Sequence, residues 1–424
     1  MSDKVMPPMI PKLRFPEFQG DEPWRPITLG EASIPVNERV GERKLTPVSI
    51  SAGIGFVPQA EKFGRDISGN QYQLYTLVRD GDFVYNKGNS LKFPEGCVYL
   101  LQGWGEVAAP NVFICFRLKD GYSNGFFQNC FEANAHGKQL KKHITSGARS
   151  NGLLNISKEA FFGITIPTPG LAEQKKITDC LDYLDELITS QARKLDVLKI
   201  YKKGLMQRLF PREGEAQPRL RFPEFRDAPD WVSGSLGSIF ETTSGGTPSR
   251  SESRYWNGNI PWITTSLVNF GVINQAEEFI SKDGLNSSSA KLFPKGTVLI
   301  AMYGQGKTRG QVALLGVDAA TNQACAAILP RKGVNPYFVF LNLTGRYEEL
   351  RKLSNSGGQE NLSQGLIRQI PFAYPLDEKE QKRIAGCFTA LDNLITTARE
   401  ELETLKEHKN GLMQQLFPLE KEPK

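Results

Sequence analysis

Four short stretches of this chain carry residue types that could do chemistry. Ala301-Met302-Tyr303-Gly304-Gln305-Gly306-Lys307-Thr308 follows an apolar run and is one residue away from the phosphate-gripping pattern G-x-x-x-x-G-K-[ST]. That pattern works by aiming a helix N-terminus and loop N–H groups at phosphates. Here Ala301 replaces the first glycine, and the following Arg309-Gly310-Gln311-Val312-Ala313-Leu314-Leu315 reads as a strand. The spacing predicts a hairpin loop exposing Gln305, Lys307 and Arg309. Asn335-Pro336-Tyr337-Phe338 lacks one proline of the Asn-Pro-Pro-aromatic loop that holds the amino group of a target base. No glycine-rich strand-to-helix turn suited to S-adenosylmethionine accompanies it, and Pro336 suits the first turn of a helix. Glu173-Gln174-Lys175 and Glu380-Gln381-Lys382 contain the Glu-x-Lys of nuclease sites, but each opens a long helical pattern, where a carboxylate offsets the helix dipole. Six scattered cysteines without a C-x-x-C pair, and only His136, His143 and His408, give no metal-ligand spacing. The expectation is a non-catalytic chain with no metal, free buried thiols and a reducing, cytoplasmic setting.

The elements that would position these residues are written twice. Leu13-Arg14-Phe15-Pro16-Glu17-Phe18 returns as Leu220-Arg221-Phe222-Pro223-Glu224-Phe225, and Gly204-Leu205-Met206-Gln207 returns as Gly411-Leu412-Met413-Gln414, both at an offset of 207 residues. The same offset pairs Trp24 with Trp231, Leu29-Gly30 with Leu236-Gly237, and the two Glu-Gln-Lys triplets. Between these anchors the copies share few residues and keep nearly the same length. This predicts two similar scaffolds carrying different readers: an arm over 1–23, a globe over 24–170, a long helix over 171–211, a linker with the repeated arm over 212–230, a second globe over 231–377, a second helix over 378–418 and a tail over 419–424.

Both helical stretches show apolar residues at alternating spacings of three and four. In the first, Ile177, Leu181, Leu184, Ile188, Leu195, Leu198 and Leu205 form the stripe; in the second, Ile384, Phe388, Leu391, Ile395, Leu402, Leu405 and Leu412 keep the same heptad frame. Each stripe must be buried, and the matching partner is the other helix. A parallel pair in register would set Lys202 beside Lys409 in the seam, so the frame predicts an antiparallel coiled coil in which the lysine stems snorkel. Pro211 and Pro418 stop the helices. About 38 residues at ~1.5 Å each make a spacer of ~57 Å.

The globes read as α+β. Strands are expected at 46–50, 81–85, 112–116, 260–264, 296–300 and 311–315, and helices at 125–142 and 336–353. Trp256, Trp262 and Tyr255 read as core. The aromatics Phe15, Phe18, Phe222 and Phe225 would pin the repeated arms against the globes or helices, closing a pseudo-symmetric arrangement. Hydrophobic residues make up 39% of the chain, and no apolar run reaches the roughly 20 residues of a bilayer span. The N-terminus lacks a secretory leader's pattern. A formal charge of +6 and a pI near 8.8 are compatible with a nucleic-acid partner without specifying one.

Gly245-Gly246-Thr247-Pro248-Ser249, Tyr255-Trp256, Ile260-Pro261-Trp262-Ile263, Ser356-Gly357 with Asn361-Leu362-Ser363, and Glu380-Gln381-Lys382-Arg383-Ile384 together resemble the specificity subunit of a type I restriction-modification enzyme. The first globe joins through Asp82-Phe83-Val84-Tyr85-Asn86-Lys87-Gly88-Asn89-Ser90, Asn155-Ile156-Ser157 and Glu173-Gln174-Lys175-Lys176-Ile177, and departs by carrying Pro35-Val36-Asn37-Glu38-Arg39 in place of Gly-Gly-Thr-Pro. The resemblance implies two target recognition domains, each reading one half of a split, asymmetric site in double-stranded DNA, spaced by the antiparallel helices in a pseudo-two-fold arrangement. It implies partners as well: two modification subunits that bind S-adenosylmethionine, methylate adenine and dock partly on the helices, and restriction subunits that use ATP and Mg to move along and cut DNA. This chain would bind none of those cofactors.

Base edges are read by planar or short polar donors and acceptors, while phosphates are held by cations and hydroxyls. In the first globe those types gather at Arg43 and Lys44, at Lys87, Asn89, Ser90 and Lys92, and at Arg149 and Asn151. In the second they gather at Ser249, Arg250 and Arg254, at Thr264, Thr265 and Ser266, at Gln305, Lys307 and Arg309, and at Gln359 and Asn361. The alternative expectation is a structural assembly factor whose two globes bind proteins. Salt separates the two, because phosphate contacts release counterions and weaken steeply as salt rises.

Overall fold

Two uninterrupted helices of 39 residues, Leu171–Leu209 and Glu378–Leu416, end just before Phe210-Pro211 and Phe417-Pro418. The computed structural model describes residues 9–51, 53–88, 93–144, 154–212, 215–304, 307–353 and 361–418. The chain divides into two compact units, residues 1–191 with 401–424, and residues 192–400. Each long helix therefore contributes one part to each unit.

In the first unit the beginning of the first long helix lies against the end of the second. Lys409 Nζ donates to both carboxylate oxygens of Asp185 at 2.7 Å, and Gln191 Nε2 donates to Glu401 Oε2 at 2.7 Å. Rising numbers on one helix meet falling numbers on the other, so the pair is antiparallel. In the second unit the same direction appears: Lys202 Nζ donates to Asp392 Oδ1 at 2.5 Å, and the rings of Phe210 and Phe388 stack with centroids 6.0 Å apart. The two lysines do not merely snorkel, which corrects the sequence expectation. Each ammonium is held by an aspartate one position past a seam residue, and the two pairs are related by the 207-residue repeat.

The stripe residues Ile177, Leu181, Leu184, Leu195, Ile384, Phe388, Leu391, Ile395 and Leu402 are buried, whereas Ile188, Leu198, Leu205, Leu405 and Leu412 are half-buried. Part of each stripe serves its globe rather than the seam. Ile177, Leu181 and Leu184 belong to one core with Trp24, Phe83, Phe116, Phe126 and Phe161, and Ile384, Phe388 and Leu391 belong to another with Trp231, Phe338 and Phe372. Burying each such side chain contributes about 1.5–3 kcal/mol, so docking against the globe stabilises these helices far more than propensity does.

The sheets of the two units share a plan and differ in detail. In the first, Ser33–Pro35, Ile114–Leu118, Asp82–Asn86 and Cys97–Leu100 form an antiparallel sheet in that order. A second sheet runs Gly55–Pro58, Thr46–Ser51, Glu106–Ala109, Thr76–Arg79, with one parallel pairing between its middle strands. In the second unit the first sheet gains a strand, running Thr242–Ser244, Cys325–Ile328, Val298–Ala301, Val312–Leu315, Val272–Ile273, beside a four-stranded sheet centred on Trp256–Ile263 and Ala319–Thr321. The fold class is α+β with two duplicated globes and an antiparallel helix pair.

Two expected helices are each broken. The stretch 125–142 splits into Asn124–Glu132 and Gly137–Lys141 around Asn134, which adopts a left-handed φ of 59°; a Cβ at Gly137 would meet the Asn134 side chain at 2.2 Å. The stretch 336–353 splits at Arg346 into Pro336–Gly345 and Tyr347–Lys352. Among the described residues no helix is long and apolar enough to cross a membrane.

Candidate functional site

The residues that return at 207 build one device in each unit. Arg14 donates through Nε and Nη2 to the two carboxylate oxygens of Glu173 at 2.8 and 2.7 Å, and the Trp24 indole N–H donates to the same carboxylate at 3.2 Å. Arg221 grips Glu380 in the same fork at 2.9 and 2.6 Å, and Trp231 completes it at 3.2 Å. Each arginine spends its remaining N–H groups on carbonyls of its own arm, Asp21 and Glu22 in one case, Ala228 and Pro229 in the other. The carboxylates are nearly inaccessible, with side-chain exposures of 3% and 1%. Bidentate charge-assisted bonds of this kind satisfy a buried carboxylate that would otherwise be costly, and they hold both arginines above their ordinary pKa. Glu173 and Glu380 do lie in the first turns of the long helices, as expected of carboxylates that offset the dipole, and they are in addition the buried ends of arm-to-helix clamps.

The neighbouring glutamines, which sequence reasoning passed over, are buried too. Gln174 accepts from Ser123 N and donates to Pro169 O; Gln381 accepts from Asn335 N and donates to Pro375 O and Gly333 O. Asn335 in turn caps the helix Pro336–Gly345 by accepting from the N–H groups of Tyr337 and Phe338, so the Asn-Pro-aromatic stretch is a helix start. Lys176 and Arg383 lie over the rings of Phe15 and Phe222 and pair with Glu17 and Glu224, pinning the arms. The N–H of Leu13 reaches Gln415 O, and that of Leu220 reaches Arg208 O, so each arm seals the last turn of a long helix within its own unit. The signal for all of this was the repeat itself.

The clamps carry two unlike surfaces. In the first unit Arg43 pairs with Glu38, which is also gripped by Arg79, itself bonded to Glu106. The Arg79 bond, helped by Arg43, pulls the Glu38 carboxyl down to about 2. Lys44 is exposed beside this network, while Lys87 turns inward and donates to Ile156 O at 2.9 Å. Asn89, Ser90, Lys92, Arg149 and Asn151 lie outside the described residues, as do Gln305 and Gln359.

In the second unit Arg250 lies 3.7 Å from the centroid of Trp256 and 5.1 Å from that of Trp262, and donates to Glu278. Trp262 is buried, whereas Trp256 and Tyr255 are half-buried, so the aromatic cluster is the floor on which Arg250 rests. Ser249 bonds Ser251 and its carbonyl accepts from the Trp256 indole; Arg254 lies over Tyr255 and pairs with Glu252. Thr264 and Ser266 share a hydrogen bond around the turn Thr265–Leu267. Lys307 is exposed, Arg309 donates to Arg351 O, and Asn361 is half-buried. Gln305 and Gly306 of the run 301–308 lie outside the described residues; the residues on either side lead from strand Val298–Ala301 to its antiparallel neighbour Val312–Leu315, so no helix N-terminus follows the run to face a phosphate. The arrangement offers exposed cations, among them Lys44, Arg250 and Lys307, and the hydroxyls of Thr264 and Ser266, held on loops beside the sheets, which suits recognition.

A family model described as the type I restriction modification DNA specificity domain matches residues 77–199 and again 229–407, one copy in each half of the sequence. The chain belongs to this family. Among relatives of this specificity-domain chain, the type I restriction enzyme MjaIX specificity subunit of Methanocaldococcus jannaschii is 31% identical over 182 residues, 42% of this chain and 41% of that protein. The EcoR124I/EcoR124II specificity subunit of Escherichia coli is 26% identical over 242 residues, 56% of each chain. These alignments thus span about half the length of the curated relatives. Solved folds match more completely. A chain from a study of the assembly and conformational transition of the type I R-M system aligns over 93% of this specificity-domain chain and 97% of its own length, at 17% identity and a TM-score of 0.60. The HsdS subunit of Thermoanaerobacter tengcongensis aligns over 95% and 99%, at 15% identity and a TM-score of 0.51.

Proposed function

We propose that this chain is the DNA-reading, non-catalytic subunit of a type I restriction-modification complex. Each unit recognises one half of a bipartite, asymmetric duplex site. Modification subunits, loaded with S-adenosylmethionine, methylate adenines at that site, and restriction subunits, fuelled by ATP with Mg, cleave DNA. The observation that supports this most is the pairing of a duplicated clamp with unlike sheets and loops. A protein that needed two copies of one binding surface would have kept the loops similar, whereas a reader of two different half-sites must vary them and keep the scaffold fixed. Exposed apolar residues on the long helices, Val197, Ile200, Tyr201 and Leu394 among them, favour docking of the modification subunits there.

The test is to express the chain with its modification subunits and map methylated adenines across a genome by single-molecule sequencing. The expected result is one split motif with adenines marked on opposite strands, lost when this chain is omitted. Binding measured alongside should fall steeply with salt, as phosphate neutralisation requires. An active methyltransferase complex that marks no motif, or salt-insensitive binding, would overturn the proposal.

A further inference from the structure

Among the described residues, one hydrogen bond joins two carboxamide side chains: Gln311 Nε2 donates to Asn269 Oδ1 at 3.2 Å on the surface of the second unit. Other amides in these globes bond backbone groups or side chains of another kind, as Gln323 accepts from Thr247 and Gln128 donates to Glu132. Asn86 bonds Ile50 O and Gly88 N, and Gln139 bonds Thr165 through both its ends. The Asn269–Gln311 pair joins two amides side by side and leaves the Asn269 amide N–H groups and the Gln311 carbonyl oxygen uncommitted among the described residues. Exchanging the O and N assignments of both amides leaves the same inventory, one carbonyl and amide hydrogens side by side.

The pair is also held in place. Phe270 adopts a φ of 53°, a left-handed conformation that is costly for a bulky residue. Its N–H donates to Val312 O at 2.8 Å, which sets Asn269 beside the strand that begins just after Gln311. Its ring meets Tyr347 edge-on at 4.9 Å, and the Tyr347 hydroxyl donates to Lys307 O. Two loops and the start of the helix Tyr347–Lys352 are thereby tied together around this pair of amides, and the exposed Lys307 on one of those loops supplies a cation for a phosphate.

We infer that Asn269 and Gln311 read the major-groove edge of one adenine in the half-site of the second unit. An adenine presents an N6 donor beside an N7 acceptor, the complement of an amide's carbonyl and N–H. The strained Phe270 is a positioning residue for that pair. This assignment rests on the DNA reading proposed above and adds the residues and the base.

The experiment is selection of bound duplexes from a randomised DNA library by the full chain with its modification subunits, comparing the unaltered protein with Asn269→Ala and with the nearly isosteric Gln311→Glu. The unaltered protein should select a split motif. Both variants should lose preference for adenine at the same single position by about tenfold or more, with the other half-site and the spacing unchanged. The Glu variant should turn that position toward cytosine, whose N4 amino group donates to a carboxylate. Variants that select the original motif, weaken uniformly on all sequences, or change a position that is not adenine would overturn the assignment while leaving the DNA reading intact. An unaltered protein that selects no motif would overturn the DNA reading itself.

Discussion

The two arm-to-helix clamps and the two loop surfaces they support changed by different rules. Arg14, Trp24 and Glu173 match Arg221, Trp231 and Glu380 atom for atom, with corresponding bonds agreeing within 0.1 Å. Above them, one unit carries an ion network around Glu38 and the other an arginine resting on two tryptophans. The clamp is nearly desolvated and its carboxylate is held by three N–H groups, so a single change leaves a buried charge unpaired. The surfaces sit on loops where a new side chain meets water and costs little. Stability constraints preserve the first and leave the second free to acquire new specificity.

The largest expected effect comes from breaking the sameness of the clamps. Arg14→Ala and Arg221→Ala should each destabilise by about 3–5 kcal/mol, because each strands a buried carboxylate. Hydrogen exchange should place the loss of protection in residues of the first unit for one variant and of the second unit for the other. A large effect from one and a negligible effect from the other would show that the clamps are not equivalent.

The buried helix positions Leu181 and Phe388, equivalent through the repeat, sharpen the comparison in the cores. Truncation to Ala should cost about 2–5 kcal/mol at either site, measured by denaturant unfolding. A cost below about 1 kcal/mol would contradict their placement in the globe cores.

Acid should separate the units. All three histidines fall in the first unit, and His136 is only 2% exposed, with burial pushing its pKa down to about 4. The unfolded chain, with an ordinary imidazole, binds the proton more readily, so this group's contribution is present above about pH 6.5 and is lost as pH falls toward 4. Near pH 5 the first unit should lose about 2 kcal/mol that the second retains, and His136→Phe should flatten the difference. Equal acid sensitivity of the two units in hydrogen exchange would contradict this.

Smallest is the pair of lysine contacts. Lys409→Met and Lys202→Met should each change stability by no more than about 1 kcal/mol, with an effect that shrinks in high salt. Losses of several kcal/mol in thermal unfolding would mean that these ion pairs are part of the core.

Much of the scaffold was legible because its signals were repeated. A proline at the end of a heptad pattern, found twice at one offset, located both long helices, and the seam positions of Lys202 and Lys409 gave their direction. The clamp was visible only as identity between copies, since nothing in Glu-Gln-Lys says that its glutamate meets an arginine 159 residues earlier. The broken helices at Asn134 and Arg346 escaped because local turns interrupt an otherwise helical composition. On the loops, residue type identified Arg250 and Arg309 as candidates but not their partners Glu278 and Arg351, nor the pairing of Asn269 with Gln311, because those contacts join segments far apart in sequence.

If fixed clamps carry independent readers, exchanging one reader must leave the other's half-site untouched. Residues 24–170 would be replaced by the corresponding globe of another specificity-domain chain, and methylated adenines mapped in cells carrying the modification subunits. The expected result is a new sequence in one half of the motif, with the other half and the spacing unchanged. A motif altered in both halves, or altered in neither, would contradict it.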